Sequence, residues 1–314
     1  RATLGLDGLP GDRSTQRLSL AIDRRKDASS LSPTDRRGRR SVALEYQGEF
    51  FGGLDVQAGV RRDFNDVFAD ATTWSVGLSY TLPDSGIRFH GSAGAGSVNP
   101  SYYNLFANDP WTLGNPNLAP ARNRGFDIGV EAQFLDGRGV VDVTLFRETL
   151  TDKFDYVNNA AADGSGRATY RNLAGRSPRK GIEVSGRLQA TDALSLGMNY
   201  TYTDSRGPNG QREVRRPRHE FGLSATHDIF GGRGSVTADL RHVAGQLDTQ
   251  FWLWPSPNVA LPNYTTLNLS ARYDLTDNVA LTGRIVNVTN RKYSDVWGYA
   301  SPGRTAHIGL QAKW

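Results

Sequence analysis

The sequence lacks cysteine and long apolar runs, and each absence excludes certain classes of protein. Without Cys among its 314 residues, neither a disulfide framework nor a thiolate metal site is available. Its mean hydropathy is negative, and no apolar run reaches the 18 or so residues that a membrane-spanning helix needs. The net charge is only +5, and Arg is spread along the chain, which argues against a nucleic-acid binder. A membrane β-barrel remains open, because its strands need only about 9–11 alternating residues.

What the sequence does contain is a repeated alternation of apolar and polar residues. In residues 304–314, Ile308 and Leu310 belong to an apolar set at every second position, and polar residues such as Gln311 stand between them. Because successive side chains of a strand point to opposite faces, this spacing predicts strands with one apolar and one polar face. Fourteen such segments occur, near residues 14–22, 40–49, 54–62, 73–81, 86–94, 122–134, 139–150, 167–189, 193–203, 216–229, 233–243, 264–274, 277–289 and 304–314.

The connections between these segments alternate between short and long. Short ones, rich in turn residues, fall at 51–53, 83–85, 136–138, 190–192 and 276–278. Long ones fall at about 23–39, 63–72, 95–121, 151–166, 204–215, 244–263 and 290–303. Strict alternation places every long loop at one edge of the sheet, as in transmembrane β-barrels. The sequence therefore predicts an all-β, antiparallel transmembrane β-barrel with about 14 strands present.

A β-sandwich, a propeller and a large soluble antiparallel sheet are the alternatives to a membrane barrel. Charged residues recur in the middle of the segments, which suits a water-filled lumen better than a soluble surface. From Phe126 to Phe134 one apolar face spans about 26 Å along the strand, or about 20 Å at a tilt of about 40°. That length is close to the apolar band of about 25 Å in outer-membrane barrels. Both features favour the membrane barrel.

Residues 114–120, GNPNLAP, form the most specific short pattern in the chain, and PSYYNLF precedes them at 100–106. Further matching segments, in the expected order, are 61–80, 170–189 and 287–304, followed by an aromatic C-terminus. Together they make the chain from residue 40 onward resemble the TonB-dependent outer-membrane receptors. The resemblance implies a 22-stranded barrel filled by an N-terminal plug, with a short TonB-binding segment ahead of the plug.

The same resemblance implies that residues 1–314 are the C-terminal portion of the receptor barrel domain, with the plug absent from this chain. Arg1 is not a start Met and no signal peptide precedes it, so we expect a processed or trimmed chain with sequence missing in front. A closed fourteen-stranded barrel is the alternative. Ala121 follows Pro120 where the family usually has Glu, which weakens the contact that the acid would make.

The pattern VWGY at 296–299, PGR at 302–304 and the pair Arg215-Arg216 resemble the vitamin B12 (cobalamin) transporter branch of the family. This implies an active transport receptor that imports cobalamin or a related corrinoid with TonB-derived energy. A ferric siderophore receptor of the same family is the alternative, and a passive porin-like channel is the alternative from another class. The expected partners are the large ligand, the TonB complex acting through the missing plug, outer-membrane lipid and lipopolysaccharide. Neither nucleic acid nor a cofactor is expected, and the expected location is the bacterial outer membrane.

Aromatic residues of two long loops are candidate ligand-binding residues, because exposed rings bury a large area at little entropic cost. The 95–121 and 244–263 loops also carry Phe106 and Phe251, and the site residues chosen from these loops are Tyr102, Tyr103, Trp111, Trp252 and Trp254. The resemblance adds Arg215 and Tyr299, which stand at positions like those that contact ligand in the cobalamin branch. Loop packing or the lipid interface is the alternative for the rings, and a lipopolysaccharide phosphate is the alternative for Arg215.

Other charged groups have plainer interpretations. The cations expected to meet an anionic lipid surface are Arg24, Arg25, Lys26, Arg36, Arg37, Arg39 and Arg40. The five histidines stand in no Ser/His/Asp or HExxH pattern, so we expect no enzyme. Asp63, Asp66 and Asp70 could bind calcium, but their spacing is not that of an EF-hand, and solvated turn acids are the preferred interpretation.

Overall fold

The computed structural model describes residues 2–7, 15–29, 32–50 and 52–314, and the side chains of all of these except 2–7 and 32–35. Residue 51, part of one predicted short turn, lies outside the described residues. The strands are β1 (Ala2–Asp7), β2 (Thr15–Ser29), β3 (Ser32–Phe50), β4 (Leu54–Asn65), β5 (Ala71–Thr81), β6 (Ile87–Val98), β7 (Ala121–Phe134), β8 (Gly139–Thr151), β9 (Phe154–Val157), β10 (Thr169–Asn172), β11 (Arg176–Thr191), β12 (Leu194–Ser205), β13 (His219–Ile229), β14 (Gly234–Ala244), β15 (Leu247–Thr249), β16 (Asn258–Ala260), β17 (Tyr264–Thr276), β18 (Val279–Val286) and β19 (Thr305–Ala312). The only helices in the described part are α1 (Tyr102–Phe106) and a 3-10 turn (Phe230–Gly232).

Fifteen of these strands form one antiparallel sheet in chain order, so each strand pairs with its neighbours along the sequence. The two exceptions are small hairpins, β9–β10 and β15–β16, which lie within long connections and form sheets of their own. All fourteen predicted segments correspond to strands of the large sheet, which confirms the all-β, antiparallel prediction, and β1 adds a fifteenth strand. Within the described residues β1 and β19 each pair on one side only, so the sheet is not closed.

The apolar face of the sheet is uncovered. In the central strands β7 and β8, Phe126, Ile128 and Leu145 are 54%, 61% and 53% exposed. Ile308 and Leu310 on the last strand are 83% and 70% exposed. Side chains directly opposite each other in the register share a face, and these rows continue across the sheet. We therefore call this apolar face the outward face; no second layer packs on it in the part of the chain that the structure describes.

The opposite, inward face is polar and internally hydrogen-bonded. Ser79 Oγ donates to Asp55 at 2.9 Å, Thr144 Oγ1 donates to Asp142 at 2.8 Å, and His90 Nε2 lies 2.7 Å from the same Asp142 carboxylate. A cavity of about 1020 Å³ lies against this face. Polar groups in mid-strand thus find partners on a water-accessible surface, as the sequence predicted for a lumen.

Short and long connections alternate as predicted from residue 99 onward, with five long loops at one edge, whereas the predicted long loop 63–72 is only residues 66–70. The long ones between strands of the large sheet are 99–120, 152–175, 206–218, 245–263 and 287–304. At the opposite edge the turns are tight, and Asp84, Gly86 and Gly137 adopt the positive φ values that such turns need. We call the two edges the long-loop edge and the short-turn edge.

Two predicted boundaries are wrong. Residues 23–29 and 32–39 of the expected long loop extend the β2–β3 hairpin, in which Asp27 stands opposite Arg37 and forms an ion pair with it. Cross-strand pairing of opposite charges supports strand geometry where the sequence indicated a loop. The predicted segment 167–189 is two strands, because the chain breaks at Gly175 (φ +100°) and β10 pairs with β9 instead of continuing into β11.

Candidate ligand-binding surface

Six of the seven predicted site residues fall into two groups on the long-loop edge, and Trp254 lies apart from both. Arg215, Trp252 and Tyr299 come together from three separate loops, 206–218, 245–263 and 287–304. Tyr102, Tyr103 and Trp111 lie in the loop 99–120, on and after α1. Ring contacts and the Arg215 guanidinium connect the first group, and shared hydrogen bonds to Asp109 connect Tyr103 and Trp111 of the second.

Asp248 is the anchor of the first group. Its side chain is fully buried, Arg215 Nε donates to its Oδ1 at 2.9 Å, and the backbone N–H groups of Thr249 and Trp297 donate at 2.8 and 2.6 Å. Burial alone would raise the pKa of Asp248, but the N–H groups of Trp297 and Thr249, together with Arg215, hold that pKa below its ordinary value. One carboxylate therefore ties three loops together.

Arg215 is held at the backbone as well. Its N–H donates to the carbonyl of Leu247 at 2.7 Å, and its φ of 58° lies in the left-handed region that non-glycine residues seldom adopt. About half of its side chain (52%) remains exposed, with the guanidinium 6.0 Å from the centre of the Phe251 ring. Arg215 is thus positioned on both sides, by Leu247 and by Asp248, with one face free for a ligand.

Four rings form the aromatic cluster: Phe251, Trp252, Trp297 and Tyr299. Trp252 lies 5.0 Å from Phe251, 5.4 Å from Trp297 and 5.9 Å from Tyr299, centre to centre. Phe251 stacks on Tyr299 at 6.2 Å. Trp252 and Tyr299 are 62% and 59% exposed, so the cluster presents a broad aromatic surface that is already ordered by its own contacts.

Gly298 makes the close approach of the two loops possible. Its φ is +81°, and a Cβ added there would lie 2.6 Å from the ring of Trp252. Any side chain at this position would push Trp252 away from Trp297 and Tyr299. The glycine in VWGY is therefore explained by packing of the aromatic cluster.

Trp254 lies at the tip of the same hairpin loop and is 94% exposed. Among the described residues it has no ring partner, in contrast to Trp252 two positions earlier. Trp297 is a functional candidate that the sequence-based choice of residues left out, whereas Phe251 was among the loop aromatics already considered. Only the position of Trp297 two residues before Tyr299 could have indicated it.

The second group is built around Asp109. Tyr103 Oη donates to it at 2.7 Å, and the backbone N–H groups of Trp111 and Thr112 donate at 2.9 and 2.8 Å. These donors, with Tyr103 first, lower the pKa of Asp109. Tyr103 also meets the edge of Tyr170 at 6.2 Å. Part of the Tyr103 ring therefore packs between the loops 99–120 and 152–175.

Trp111 and Tyr102 differ from each other in what they present. Trp111 is 78% exposed, so its ring faces solvent while its backbone is fixed by Asp109. Tyr102 packs against Phe106 at 4.9 Å on α1. Of the second group, Trp111 is the residue with most of its side chain free for contact with another molecule.

The GNPNLAP pattern serves as the scaffold of this loop. A Cβ on Gly114 would lie 2.5 Å from the carbonyl oxygen of Leu105, and Leu118 is only 1% exposed. Asn115 Nδ2 donates to the carbonyl of Tyr170, and Asn172 exchanges two hydrogen bonds with the backbone of Ala119, all at 2.9 Å. The pattern thus docks the loop 99–120 onto the β9–β10 hairpin.

The residues considered for metal binding are used otherwise. Asp63 is buried and pairs with Arg61 at 2.8 Å, and Asp70 pairs with Arg62 at 3.2 Å. The described residues contain no group of three or more His, Asp or Glu side chains that could hold a metal ion. No helix in the described part of the chain has the length and apolar character needed to cross a membrane.

A large antiparallel sheet with an exposed apolar outward face, a polar inward face and long loops at one edge is typical of part of an outer-membrane β-barrel. Residues 5–288 match the family described as TonB dependent receptor-like, beta-barrel, and the chain belongs to that family. Members of this family are transport receptors of the outer membrane.

The relatives that resemble this chain in sequence are named as vitamin B12 transporters. The chain is 24% identical over 292 residues to the vitamin B12 transporter BtuB of Vibrio vulnificus, covering 92% of this chain and 43% of that protein. It is 24% identical over 271 residues to BtuB of Vibrio cholerae, covering 86% and 41%. The chain thus spans about two fifths of the length of these relatives.

Solved structures that are similar to this fold include siderophore receptors. The siderophore receptor PirA from Acinetobacter baumannii superposes with a TM-score of 0.77 at 15% identity, over 99% of this chain and 53% of that one. A mutant of the ferric enterobactin receptor PfeA from Pseudomonas aeruginosa, in complex with enterobactin, gives 0.74 at 18%, over 99% and 53%. At these identities the likeness concerns the fold.

Proposed function

We propose that this chain is the barrel portion of a bacterial outer-membrane receptor that captures a large, scarce ligand and imports it with TonB-derived energy. The preferred ligand is cobalamin or a related corrinoid. The TonB complex would act through a plug segment outside residues 1–314, so this chain supplies the membrane sheet and the ligand-capturing loops. No chemical step is assigned to it.

The observation that carries the proposal is the aromatic cluster with Arg215 beside it. Four rings and one half-exposed guanidinium form a surface that is apolar with a single cationic point, held rigidly by the buried Asp248. A rigid surface binds a bulky ligand with little loss of conformational entropy. A corrinoid, with a broad, partly apolar macrocycle, fits this chemistry, and two relatives named as vitamin B12 transporters support the choice.

A ferric siderophore is the second candidate, and a specific observation favours it. The loop 206–218 carries Arg206, Arg212, Arg215, Arg216 and Arg218. Burial, and then the nearby charge of Arg218, lowers the pKa of Arg212, which indicates crowded positive charge. Such a loop would attract an anionic iron chelate.

Equilibrium binding to the full-length protein tests the two candidates. Cyanocobalamin and a ferric catecholate would be titrated separately, with the Trp252→Ala/Tyr299→Ala double variant beside the parent protein. The variant should bind about tenfold or more weakly, since truncating one anchoring aromatic typically costs more than about 1 kcal/mol. Phe230→Ala, which removes a 70% exposed ring at the short-turn edge, is the matched control.

Each outcome separates the alternatives. Tight cobalamin binding that only the cluster variant loses supports the corrinoid, and the same pattern for the catecholate supports the siderophore. Binding of neither ligand, together with steady ion conductance in planar bilayers, would identify a passive channel and refute the receptor proposal.

A further inference from the structure

The loop 99–120, which carries Trp111, is hydrogen-bonded through its backbone to the loop 152–175. The N–H group of Ala168 donates to the carbonyl of Trp111 at 2.9 Å, and the N–H group of Leu113 donates to the carbonyl of Ala168 at 2.9 Å. Ala168 is only 6% exposed, so these bonds are shielded from solvent. The position of the Trp111 backbone therefore depends on where the loop 152–175 lies.

The loop 152–175 is held at its base by Lys153. The carbonyl of Lys153 accepts from the N–H group of Leu173 at 2.7 Å, which brings the two ends of this loop together. The Nζ of Lys153 forms an ion pair with Glu213 in the loop 206–218. Within the part of the chain that the structure describes, no other ion pair joins these two loops. The Lys153 side chain therefore connects one loop to the other.

Glu213 is fixed in place to receive this lysine. Ser205 Oγ donates to its Oε2 at 2.6 Å, and the N–H group of Glu213 donates to the carbonyl of Ser205 at 3.0 Å. The side chains of Lys153 and Glu213 are only 30% and 22% exposed. Burial alone would raise the pKa of Glu213, but the hydrogen bonds from Lys153 and Ser205 hold that pKa below its ordinary value. Glu213 is therefore charged at neutral pH, with one carboxylate oxygen held toward Lys153.

Glu213 is also close to the first group of site residues, because it stands two residues before Arg215. Two residues span at most about 7 Å between their Cα atoms. Arg215 is bonded to the carbonyl of Leu247 and to the buried carboxylate of Asp248. A displacement of Glu213 would therefore move Arg215 relative to the aromatic cluster.

These contacts form one continuous connection from Trp111 to the aromatic cluster. The step between the loops 152–175 and 206–218 is the Lys153–Glu213 ion pair. The same loops also approach each other beside Gly175, where an added Cβ would lie 3.0 Å from the Cβ of a proline in the facing loop. Such packing lacks the direction of a charge-assisted hydrogen bond. The ion pair is therefore the step at which the two groups of site residues can be separated.

We propose that Lys153 and Glu213 are positioning residues, whose ion pair holds the two groups of site residues as one surface for a single large ligand. A ligand that contacts both groups loses less binding free energy to loop ordering when the loops are already held together. This role rests on the proposed function, because it needs a ligand large enough to reach both groups. The pair acts through Trp111 and Arg215 and is not assigned a contact with the ligand itself.

Equilibrium binding of cyanocobalamin and of a ferric catecholate to the full-length protein tests the proposal. Lys153→Met/Glu213→Gln removes both charges together, so that neither is left unpaired, and should weaken binding of the preferred ligand about fivefold. Trp111→Ala should also cost about fivefold in the parent, but less than about twofold in the ion-pair variant, because the two losses are coupled. Lys153→Arg keeps the ion pair and should bind like the parent.

The matched control is Arg62→Met/Asp70→Asn. It also removes one positive and one negative charge at the long-loop edge, from a pair 3.2 Å apart that lies outside the loops of both groups. Binding should be the same in this variant and in the parent.

A distance measurement reports on the loops without any ligand. The chain has no Cys, so Ala162→Cys and Trp254→Cys place two spin labels at exposed positions, one on the loop 152–175 and one on the loop 245–263. Double electron–electron resonance should give a narrow distribution of distances between the labels in the parent and in Lys153→Arg. The distribution should be broader in Lys153→Met/Glu213→Gln.

Three results would overturn the proposal. These are an equal cost of Trp111→Ala in the parent and in the ion-pair variant, an unchanged distance distribution in that variant, and an equal loss of binding in the Arg62/Asp70 control. A parent protein that binds neither ligand refutes the proposed function, and the distance distributions then still decide whether Lys153 and Glu213 hold the two loops together.

Discussion

Replacing Asp248 by Ala should loosen the aromatic cluster without unfolding the sheet. The substitution removes a fully buried carboxylate that accepts from two backbone N–H groups and from Arg215. Each N–H left without an acceptor costs about 1–3 kcal/mol. The Arg215 pair adds only about 0–1 kcal/mol, because that side chain is 52% exposed and screened by solvent. The two N–H groups and the ion pair together give a local loss of about 2–7 kcal/mol, and the lower limit corresponds to a factor of roughly 30 in the opening of these loops.

Amide hydrogen exchange measures this opening directly. The N–H groups of Trp297 and Thr249 should exchange faster in the variant by at least that factor, while amides of central strands such as β7 and β8 keep their protection. Asp163→Ala is the matched control, since Asp163 is an exposed loop acid that bonds Arg167 and Ser165 away from the aromatic cluster. Unchanged exchange at Trp297 in the Asp248 variant would refute the role of this carboxylate as the anchor.

The same carboxylate gives the loops a pH dependence of defined sign. Because the pKa of Asp248 in the fold lies below its ordinary 3.8, the charged form stabilises the loops at pH values above 3.8. That stabilisation declines as the pH falls below 3.8 and is lost once the pH passes the lowered value of the fold. Exchange at Trp297, corrected for its intrinsic rate, should therefore be constant between about pH 7 and 5 and rise only in stronger acid.

Three further substitutions test other parts of the structure. Gly298→Ala should displace Trp252, because its Cβ would lie 2.6 Å from that ring, and should change tryptophan fluorescence and weaken ligand binding while leaving barrel assembly intact. Gly114→Ala should destabilise the loop 99–120 by about 1–3 kcal/mol through overpacking against the backbone of Leu105, seen as faster protease cleavage within that loop. Ile128→Lys, on the outward face of β7, should cost about 2–4 kcal/mol of folding into lipid bilayers, whereas Gln133→Lys on the inward face should cost much less.

The outward and inward faces were predictable because strand geometry has a period of two residues. The alternation assigns every apolar position between two turns to one face of the sheet, and the strand register of the structure agrees with that assignment. The segment 23–39 failed because its charges resemble those of a loop. Their alternation between the two faces, with Asp27 opposite Arg37 on one and Arg24 opposite Arg40 on the other, becomes visible only when the strands are paired.

The convergence at Asp248 was not predictable from the sequence. Arg215, Asp248 and Trp297 are separated by 33 and 49 residues, and only the pairing order of the last strands brings their loops together. Aromatic content marked Trp252 as a candidate, whereas the carboxylate that orders it resembles any other loop acid. Such an acid can be recognised only in the structure, because its burial and its hydrogen bonds, and not its residue type, make it important for the order of the loops.

The aromatic cluster lies at the long-loop edge of the sheet, and this fixes the orientation that the proposed function requires. If its loops capture a ligand from the medium, the long-loop edge must face outside the cell, and Trp254 must be reachable from there. The chain has no Cys, so a single Trp254→Cys substitution gives one reporter within it, 94% exposed in the parent residue. A membrane-impermeant maleimide should label this cysteine on intact cells, and Phe230→Cys at the short-turn edge should react only after the cells are broken. Labelling of Phe230→Cys on intact cells with Trp254→Cys protected would invert the orientation and separate the loops from any external ligand.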